Sequence, residues 1–166
     1  MSYKFNYVET NLSNILQLIL GNQNILRYIY YLDSNPLDPS KPNIDVNKVN
    51  PVNSTIYLLP HDPTVISQDA VKLFINPHVG NLKNTPNQGQ AIETYLIDIV
   101  VPNAMWLLSG QAKIRPFRIA NEIASMIDGQ PIAGTRKTYI DKYQVISLDD
   151  RISALILWVT IYTPNF

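Results

Sequence analysis

The sequence predicts an α+β fold in which a mainly antiparallel sheet packs against helices, within a single domain that spans residues 1–166. Three observations predict it. Apolar residues recur at helical spacing near the start of the chain and again near residue 120. Short runs rich in β-branched residues, bounded by proline, asparagine or glycine, occupy most of the remainder. The order, two helices and a long loop followed by short strands before and after one further helix, differs from the regular strand–helix alternation of a parallel sheet.

Two helices are predicted in the N-terminal part, residues 1–32. The apolar stripe of the first, with Thr10 or Asn11 as its N-cap, consists of Leu12, Ile15, Leu16 and Ile19. The pair Gly21-Asn22 is expected to end this helix, because glycine and asparagine favour helix termini. The apolar stripe of the second consists of Ile25, Leu26, Ile29 and Tyr30. The N-terminal part is therefore expected to be two short helices.

Residues 33–53 are predicted to form an extended loop or arm. Prolines at positions 36, 39, 42 and 51 alternate here with Asn, Asp and Ser. Because proline fixes φ and removes a backbone donor, the segment favours neither a helix nor a central strand. A loop of about twenty residues is uncommon in a compact domain. We interpret it as an inter-subunit arm, with a flexible surface loop as the alternative.

Residues 54–166 are predicted to form the α+β core. The strand candidates are Thr55–Leu59, Val71–Ile75, Ile92–Val101, Tyr139–Leu148 and Ile152–Tyr162. The stretch Asn76–Gly89, rich in Asn, Pro and Gly, is predicted to be a loop. Because Ile152–Tyr162 is apolar on both faces, it is expected to be a central strand. The short link Asp149–Arg151 predicts a tight hairpin before it.

One helix is predicted inside this core. Pro116 lies in its first turn, where proline is favoured, and Gly129 ends it. Its apolar stripe consists of Ile119, Ala120, Ile123, Ala124 and Ile127. This helix is expected to pack against the sheet.

Composition excludes several classes of function. Thirteen basic and thirteen acidic residues cancel, so the chain lacks the strong basic excess of a DNA-coating or membrane-surface protein. The absence of cysteine excludes disulfides and thiolate chemistry. No apolar run approaches the roughly 20 residues of a membrane span, and no signal peptide is recognised. Since only 16% of residues are charged, we expect a soluble protein whose amide- and tyrosine-rich surface is typical of an assembly.

Candidate catalytic residues are few. His61 and His78 each lie beside proline, and His61 with Asp62 forms a pair that suits acid–base or metal chemistry. No serine has a nucleophile-elbow context, and no nucleotide-binding motif occurs. We interpret both histidines as loop residues, with a small His-dependent enzyme as the alternative. No cofactor and no metal site are predicted.

Two carboxylates of the strand Ile92–Val101, Glu93 and Asp98, are predicted to point to opposite faces because they are five residues apart. A buried Asp98 requires a hydrogen-bonding partner or a cation, which Arg115 or Arg118 would supply. A solvated Asp98 at a strand edge is the alternative. Neither arrangement predicts a catalytic carboxylate pair.

Basic residues cluster modestly in the last third of the chain. We predict a subunit interface there, formed by Trp106, Arg115, Arg118, Arg136 and Lys137. A nucleic-acid groove and plainly solvated charges are the alternatives. On this interpretation, Arg115→Glu impairs assembly and leaves the circular dichroism of the monomer unchanged.

The strand Ile92–Val101 is followed by the sequence PNAMW at residues 102–106, by the helix start Arg115–Ile123, and by a two-stranded ending. In this order of elements, residues 55–166 resemble neck and tail-completion proteins of tailed bacteriophages, in particular the tail-terminator class. The two N-terminal helices and an arm of this length do not match that class residue by residue. Another head-completion or connector ring protein of the virion is therefore an alternative, and a small monomeric binding module is a third.

The resemblance implies an α+β subunit that assembles with itself into a ring, commonly a hexamer. Such a ring caps the tail tube and joins it to head-completion and neck proteins, and DNA passes through its lumen without specific binding. The resemblance further implies a non-enzymatic structural protein of the virion at the head–tail junction, assembled in the host cytoplasm without a membrane.

Overall fold

The computed structural model describes residues 5–49, 55–60, 62–81, 90–110, 112–132, 135 and 137–164. In these residues the predicted α+β fold is confirmed, since three α-helices accompany one sheet with the strand order β1-β2-β3-β5-β4. The helices are α1 (Asn6–Gly21), α2 (Gln23–Tyr30) and α3 (Arg115–Ile127). The strands are β1 (Ile56–Tyr57), β2 (Lys72–Asn81), β3 (Gln90–Pro102), β4 (Thr138–Ser147) and β5 (Ile152–Pro164). The strand pairings are antiparallel, except that β1 runs parallel to β2.

Helix α1 begins before the predicted N-cap. Phe5 is its N-cap and supplies no side-chain hydrogen bond. Thr10 lies inside the helix, where its hydroxyl donates to the Asn6 carbonyl at 2.8 Å. Asn11 is buried, and its side-chain amide donates to Glu93 at 2.8 Å. The prediction of an N-cap at Thr10 or Asn11 is therefore wrong, because both side chains bond elsewhere.

The predicted break at Gly21-Asn22 is confirmed, and Asn22 is the N-cap of α2. Its side-chain oxygen accepts the backbone N–H of Asn24 at 2.9 Å and that of Ile25 at 3.1 Å. Its amide nitrogen donates to Glu122 of α3 at 3.2 Å. One side chain therefore both starts α2 and ties it to α3.

Replacing Asn22 by alanine is expected to lower the free energy of unfolding by about 1–2 kcal/mol, because α2 loses its cap and Glu122 loses a donor. Asn22→Ser is the matched control, since serine keeps a cap acceptor and removes the donor to Glu122. We expect serine to restore about half of the loss in urea denaturation. Equal stability of the two variants would contradict the capping role.

The described part of the loop, residues 33–49, packs on its own chain. Ile44 and Val49 are buried with the core, and residues 46–48 form a short 3-10 turn. The Gln23 side chain both donates to the Ile44 carbonyl at 3.0 Å and accepts its N–H at 2.9 Å. Lys41 pairs with Asp33 at 2.6 Å. A contact of this segment with a second subunit stays a prediction.

Strand β2 is longer than predicted. The stretch Asn76–Gly89 was expected to be a loop, whereas β2 continues to Asn81, and the remainder of that stretch lies outside the described residues. The reason is pairing with β3, which continues through Gly80 and Asn81. A register shift between Pro77 and Val79 accommodates the proline, which cannot donate to a ladder.

The C-terminal hairpin and the central position of its second strand are confirmed. β5 lies between β3 and β4 in the sheet. At the turn, the Asp149 side chain accepts the backbone N–H of Arg151 at 2.6 Å and that of Ile152 at 2.7 Å. β3 ends at Pro102, one residue beyond the predicted Val101, and a short 3-10 turn follows.

The sheet buries apolar residues on both faces. The main core lies between the helices and one face, where Ile97 and Ile99 of β3 and Leu155 and Val159 of β5 are almost completely buried. A second cluster covers part of the other face and consists of Phe74, Val100, Ile152 and Ala154. Two covered faces explain why β3 and β5 carry apolar residues on both faces.

Helix α3 forms as predicted. The residues it buries against the core include Ile119, Ile123 and Ile127, and proline occupies its first turn. Gly129 follows with a φ of 72°, a left-handed conformation that suits glycine. None of the described helices is long and apolar enough to cross a bilayer.

Candidate assembly surface

Exposed apolar side chains lie together where α3 meets the outer strand β4. Tyr143 is 62% exposed and Val145 46% exposed. They stand opposite Leu157 and Leu155 of β5, which point into the main core, so Tyr143 and Val145 point to the same side of the sheet. The ring of Phe117, on α3, meets the Tyr143 ring edge to face, with centroids 5.7 Å apart. Helix α3 therefore covers this side of β4 only in part.

The surface continues along the first turn of α3. Leu107 is 67% exposed and forms an antiparallel bridge with Ile114, the residue before α3. Arg118 is exposed, and with Phe117 it lines a shallow depression of about 410 Å³. We call Leu107, Phe117, Arg118, Tyr143 and Val145 the α3–β4 face. It combines large apolar side chains with one cation, a composition typical of protein interfaces.

Strand β4 also has an open edge. Among the described strands it pairs with β5 alone. At its start the other side is occupied, because Thr138 exchanges backbone hydrogen bonds with Gly129 and Gln130 and the Ile140 N–H donates to Asp128. The open edge is the later part of the strand. Of its ten residues, most are exposed, and only Thr138 is buried. A long exposed edge is a template for pairing with another chain. Lys142, whose ammonium lies 4.2 Å from the Trp158 ring centroid, and a register shift after Ile140 limit that pairing.

Arg115, predicted as an interface residue, is completely buried and serves the fold of its own chain. Its guanidinium donates to five backbone carbonyls, those of Tyr28, Tyr31, Leu32, Asp33 and Met105. Tyr28 lies in the last turn of α2, and Tyr31, Leu32 and Asp33 follow that helix, so Arg115 binds carbonyls at its end and just beyond it. Burial lowers the pKa of Arg115, and the nearby Asp33 carboxylate opposes that effect.

This burial corrects the expectation for Arg115→Glu. The side chain has no surface to offer a second subunit, and a glutamate at this position would place a negative charge among carbonyl oxygens. Loss of assembly in that variant would therefore follow from loss of the fold, and the circular dichroism of the monomer would change with it.

The other predicted interface residues lie in three different settings. Trp106 is half-buried against the main core, and its carbonyl accepts the Arg115 backbone N–H at 2.8 Å. Arg118 belongs to the α3–β4 face, and Lys137 is exposed immediately before β4. Arg136 lies outside the described residues. The structure thus brings Arg118 to the exposed aromatic side chains, while an interface role for Trp106, Arg118 and Lys137 stays a prediction.

The residues considered for catalysis do not form a site in the described part of the chain. His78 is exposed on β2, and His61 lies outside the described residues. Asp62 accepts the Thr64 hydroxyl at 2.7 Å and its backbone N–H at 2.8 Å, and these bonds lower its pKa. No group of three or more His, Cys, Asp or Glu side chains with the spacing of a metal site occurs among the described residues.

The two strand carboxylates point to opposite faces, as predicted, and both are buried. Glu93 shares the side of Tyr95 and Ile97, which belong to the main core. Asp98 lies on the other face, in register with Phe74 of β2 and Ile156 of β5. Since Arg115 donates to carbonyls on the helix side, the proposed pairing of Asp98 with Arg115 is wrong.

Comparisons with known proteins add a family and a fold. A family model described as YomW matches residues 22–153. No curated protein sequence matches the chain. A solved chain described as "Virion of native gene transfer agent (GTA) particle" has the same fold, with a TM-score of 0.52 over 93% of this chain and 94% of that chain, at 10% sequence identity. At this level of identity the likeness establishes the fold alone.

Proposed function

Because this chain belongs to the YomW family and shares its fold with a chain from a gene transfer agent virion, we propose that it is a non-enzymatic structural protein of a virion, forming the tail-terminator ring at the head–tail junction. The observation that carries the proposal is the extent of the likeness, which covers nearly the whole of both chains. The structural likeness therefore includes the N-terminal helices as well as the sheet.

The α3–β4 face supports assembly with further copies of the chain. Its aromatic and aliphatic side chains are exposed together, and the open edge of β4 borders them. A ring requires a heterologous contact, in which one patch of a subunit meets a different patch of the next. Trp106, Arg118 and Lys137 are the predicted residues near this contact. The mechanism is steric and adhesive, since burial of apolar and aromatic surface holds neighbouring subunits together.

The charge balance suits a ring through which DNA passes. Protein–DNA affinity comes largely from cations that neutralise phosphates. With thirteen basic and thirteen acidic residues, the subunit has no net charge with which to hold DNA. In the proposed ring, DNA therefore slides through the lumen, and the contacts that matter are those to neighbouring subunits, to the tail tube and to the head-completion proteins.

Size-exclusion chromatography with light scattering, over a concentration series, tests the proposal. A hexamer of the 18.8 kDa subunit has a mass of about 113 kDa, and negative-stain images of that peak should show closed rings. Since another connector ring of the virion is the alternative, isolated tail tubes are then added. Binding of the rings to tube ends supports the terminator, and binding to filled heads alone supports the connector.

Tyr143→Asp is expected to weaken this assembly at least tenfold, because a charge would be placed in the centre of the α3–β4 face. The monomer should keep its circular dichroism and thermal midpoint, since Tyr143 is 62% exposed. Leu59→Asp, at a side chain 40% exposed outside this face, is the matched control and should assemble normally. Normal rings of the Tyr143 variant, or a strictly monomeric wild type in the presence of tail tubes, would contradict the proposal.

A further inference from the structure

A cavity of about 270 Å³ lies between the start of α1 and the irregular part of β2. Its apolar lining includes Phe5 and Val8 from the helix and Val79 from β2. The register shift between Pro77 and Val79 lies at this point of β2, and irregularities of this kind bend a strand locally. Sites for small molecules measure about 300–1,000 Å³. The cavity is smaller, and it suits a single protein side chain.

One buried carboxylate forms part of the cavity wall. Glu93 is only 2% exposed. Its Oε2 accepts the Asn11 amide at 2.8 Å and the Tyr95 hydroxyl at 2.5 Å. Its Oε1 is buried and has no hydrogen-bond partner among the residues that the structure describes. A buried oxygen without a donor costs free energy, so this atom is a recognition point for an incoming donor.

The hydrogen bonds already made by the two Glu93 carboxylate oxygens determine which kind of donor can still bind. Arginine binds carboxylates best through two parallel hydrogen bonds, one to each oxygen. Here Asn11 and Tyr95 occupy Oε2, which leaves only Oε1. A lysine ammonium acts as a point charge on a flexible aliphatic stem, so it needs one oxygen and an apolar channel. The cavity therefore fits lysine.

Most lysines in the described part of the chain already have a partner. Lys41 pairs with Asp33, while Lys48, Lys72 and Lys142 lie over the rings of Tyr30, Tyr57 and Trp158. Lys113 and Lys137 are exposed. Both precede elements of the α3–β4 face, so both are candidates for a contact between copies.

The sheet register shows which of these two lysines lies at the same level along the strands as Glu93. Glu93 lies opposite Gly80 of β2 and Ile161 of β5, and Ile161 lies opposite Thr138 of β4. These four residues form one row across the sheet, and among the described strands β2 and β4 are the two outer members of that row. Lys137 adjoins the row at its β4 end, and the cavity is at its β2 end. Lys113 lies near the far end of β3, roughly 30 Å away along the strands.

We propose that Lys137 of one subunit enters this cavity of the next subunit and donates to Glu93 Oε1. The inference rests on the ring assembly proposed above, with the ring axis along the strands. Rotation about such an axis does not change the position of a residue along the axis. The β4 side of one copy, where Lys137 is exposed beside residues 128–130, therefore meets the β2 edge of its neighbour with Lys137 and Glu93 at the same level. The cavity is thus the second patch that the heterologous contact requires.

Cysteine cross-linking tests the pairing, because the natural chain has no cysteine. The double variant Gly80→Cys with Lys137→Cys is treated with a short bis-maleimide at ring-forming concentration. Position 80 tolerates a side chain, since an added Cβ meets Glu93 Cγ at 4.0 Å. A ladder of covalent oligomers on a denaturing gel is expected. Gly80→Cys with Lys113→Cys is the control and should stay monomeric on that gel.

A second measurement compares the dissociation constants of rings that carry a substitution at either proposed partner. Lys137→Met and Glu93→Gln are each expected to raise the dissociation constant of the ring at least tenfold, and the double variant should lose little more than either alone. Rings that form without the Gly80–Lys137 ladder, or additive effects of the two substitutions, would overturn this pairing and leave the ring intact. A wild type that forms no ring even in the presence of tail tubes would overturn both proposals.

Discussion

Replacing Arg115 by methionine is expected to lower the free energy of unfolding by about 3–5 kcal/mol, as for the loss of one partner from a buried charged network. The guanidinium donates to five carbonyls, including that of Tyr28 at 2.6 Å and that of Met105 at 2.9 Å. Methionine fills similar volume but leaves these oxygens without a donor. Since domains of this size are stable by about 5–15 kcal/mol, the variant should be close to unfolding.

Urea denaturation followed by circular dichroism measures this effect. Arg118→Met, three residues later in the same helix and exposed, is the matched control and should change stability by no more than about 0.5 kcal/mol. Arg115→Lys keeps the charge but cannot reach carbonyls on both sides, so an intermediate loss is expected. An unchanged midpoint for Arg115→Met would show that the carbonyls find other donors.

Replacing Phe74 by alanine is the other change with a large expected effect, about 3–5 kcal/mol. Phe74 is completely buried on the sheet face that the helices do not cover, where its ring stacks on Tyr57 with centroids 5.0 Å apart. Val65 and Ile66, from the segment between β1 and β2, pack against the same cluster. The substitution leaves a void beneath that segment, and its attachment to the sheet weakens.

The control is the same substitution at an exposed phenylalanine. Phe5 is 71% exposed, so Phe5→Ala should cost less than about 1 kcal/mol in the same urea titration. Limited proteolysis adds a local readout, because cleavage between residues 62 and 71 should accelerate in Phe74→Ala before the sheet unfolds. Equal losses at Phe5 and Phe74 would contradict the second core.

Local patterns predicted the fold well wherever the local signal and the tertiary packing agree. The stripe around Ile119 and Ile123 gave α3 because that stripe faces the core. Strand β2 was predicted too short, since Pro77 and Gly80 have the composition of a loop. Only pairing with β3, which no local pattern contains, extends the strand through them. Thr10 was mistaken for a cap because its hydroxyl bonds equally well within a helix.

The candidate assembly surface was harder to predict. Arg118 and Lys137 were chosen for their charge, and both are exposed. The exposed aromatic side chains were missed, because alternation along β4 does not reveal how far α3 extends across it. Arg115 was misjudged for a related reason. Its carbonyl acceptors in Tyr28 and Asp33 are 87 and 82 residues away in sequence, so no neighbouring residue indicates its burial.

The position of β5 between β3 and β4 imposes an order on biosynthesis. Of the described strands it is translated last, although both of its neighbours need it as a partner. At about 5–20 residues per second, the ribosome takes roughly 3–12 s to proceed from the end of β3 to the end of β5. During that interval β3 has one unsatisfied side, and the apolar faces of the N-terminal helices have little sheet to cover them. The nascent chain is therefore most vulnerable to misassociation at this stage, and the subunit becomes competent to join its neighbours only after β5 has been inserted.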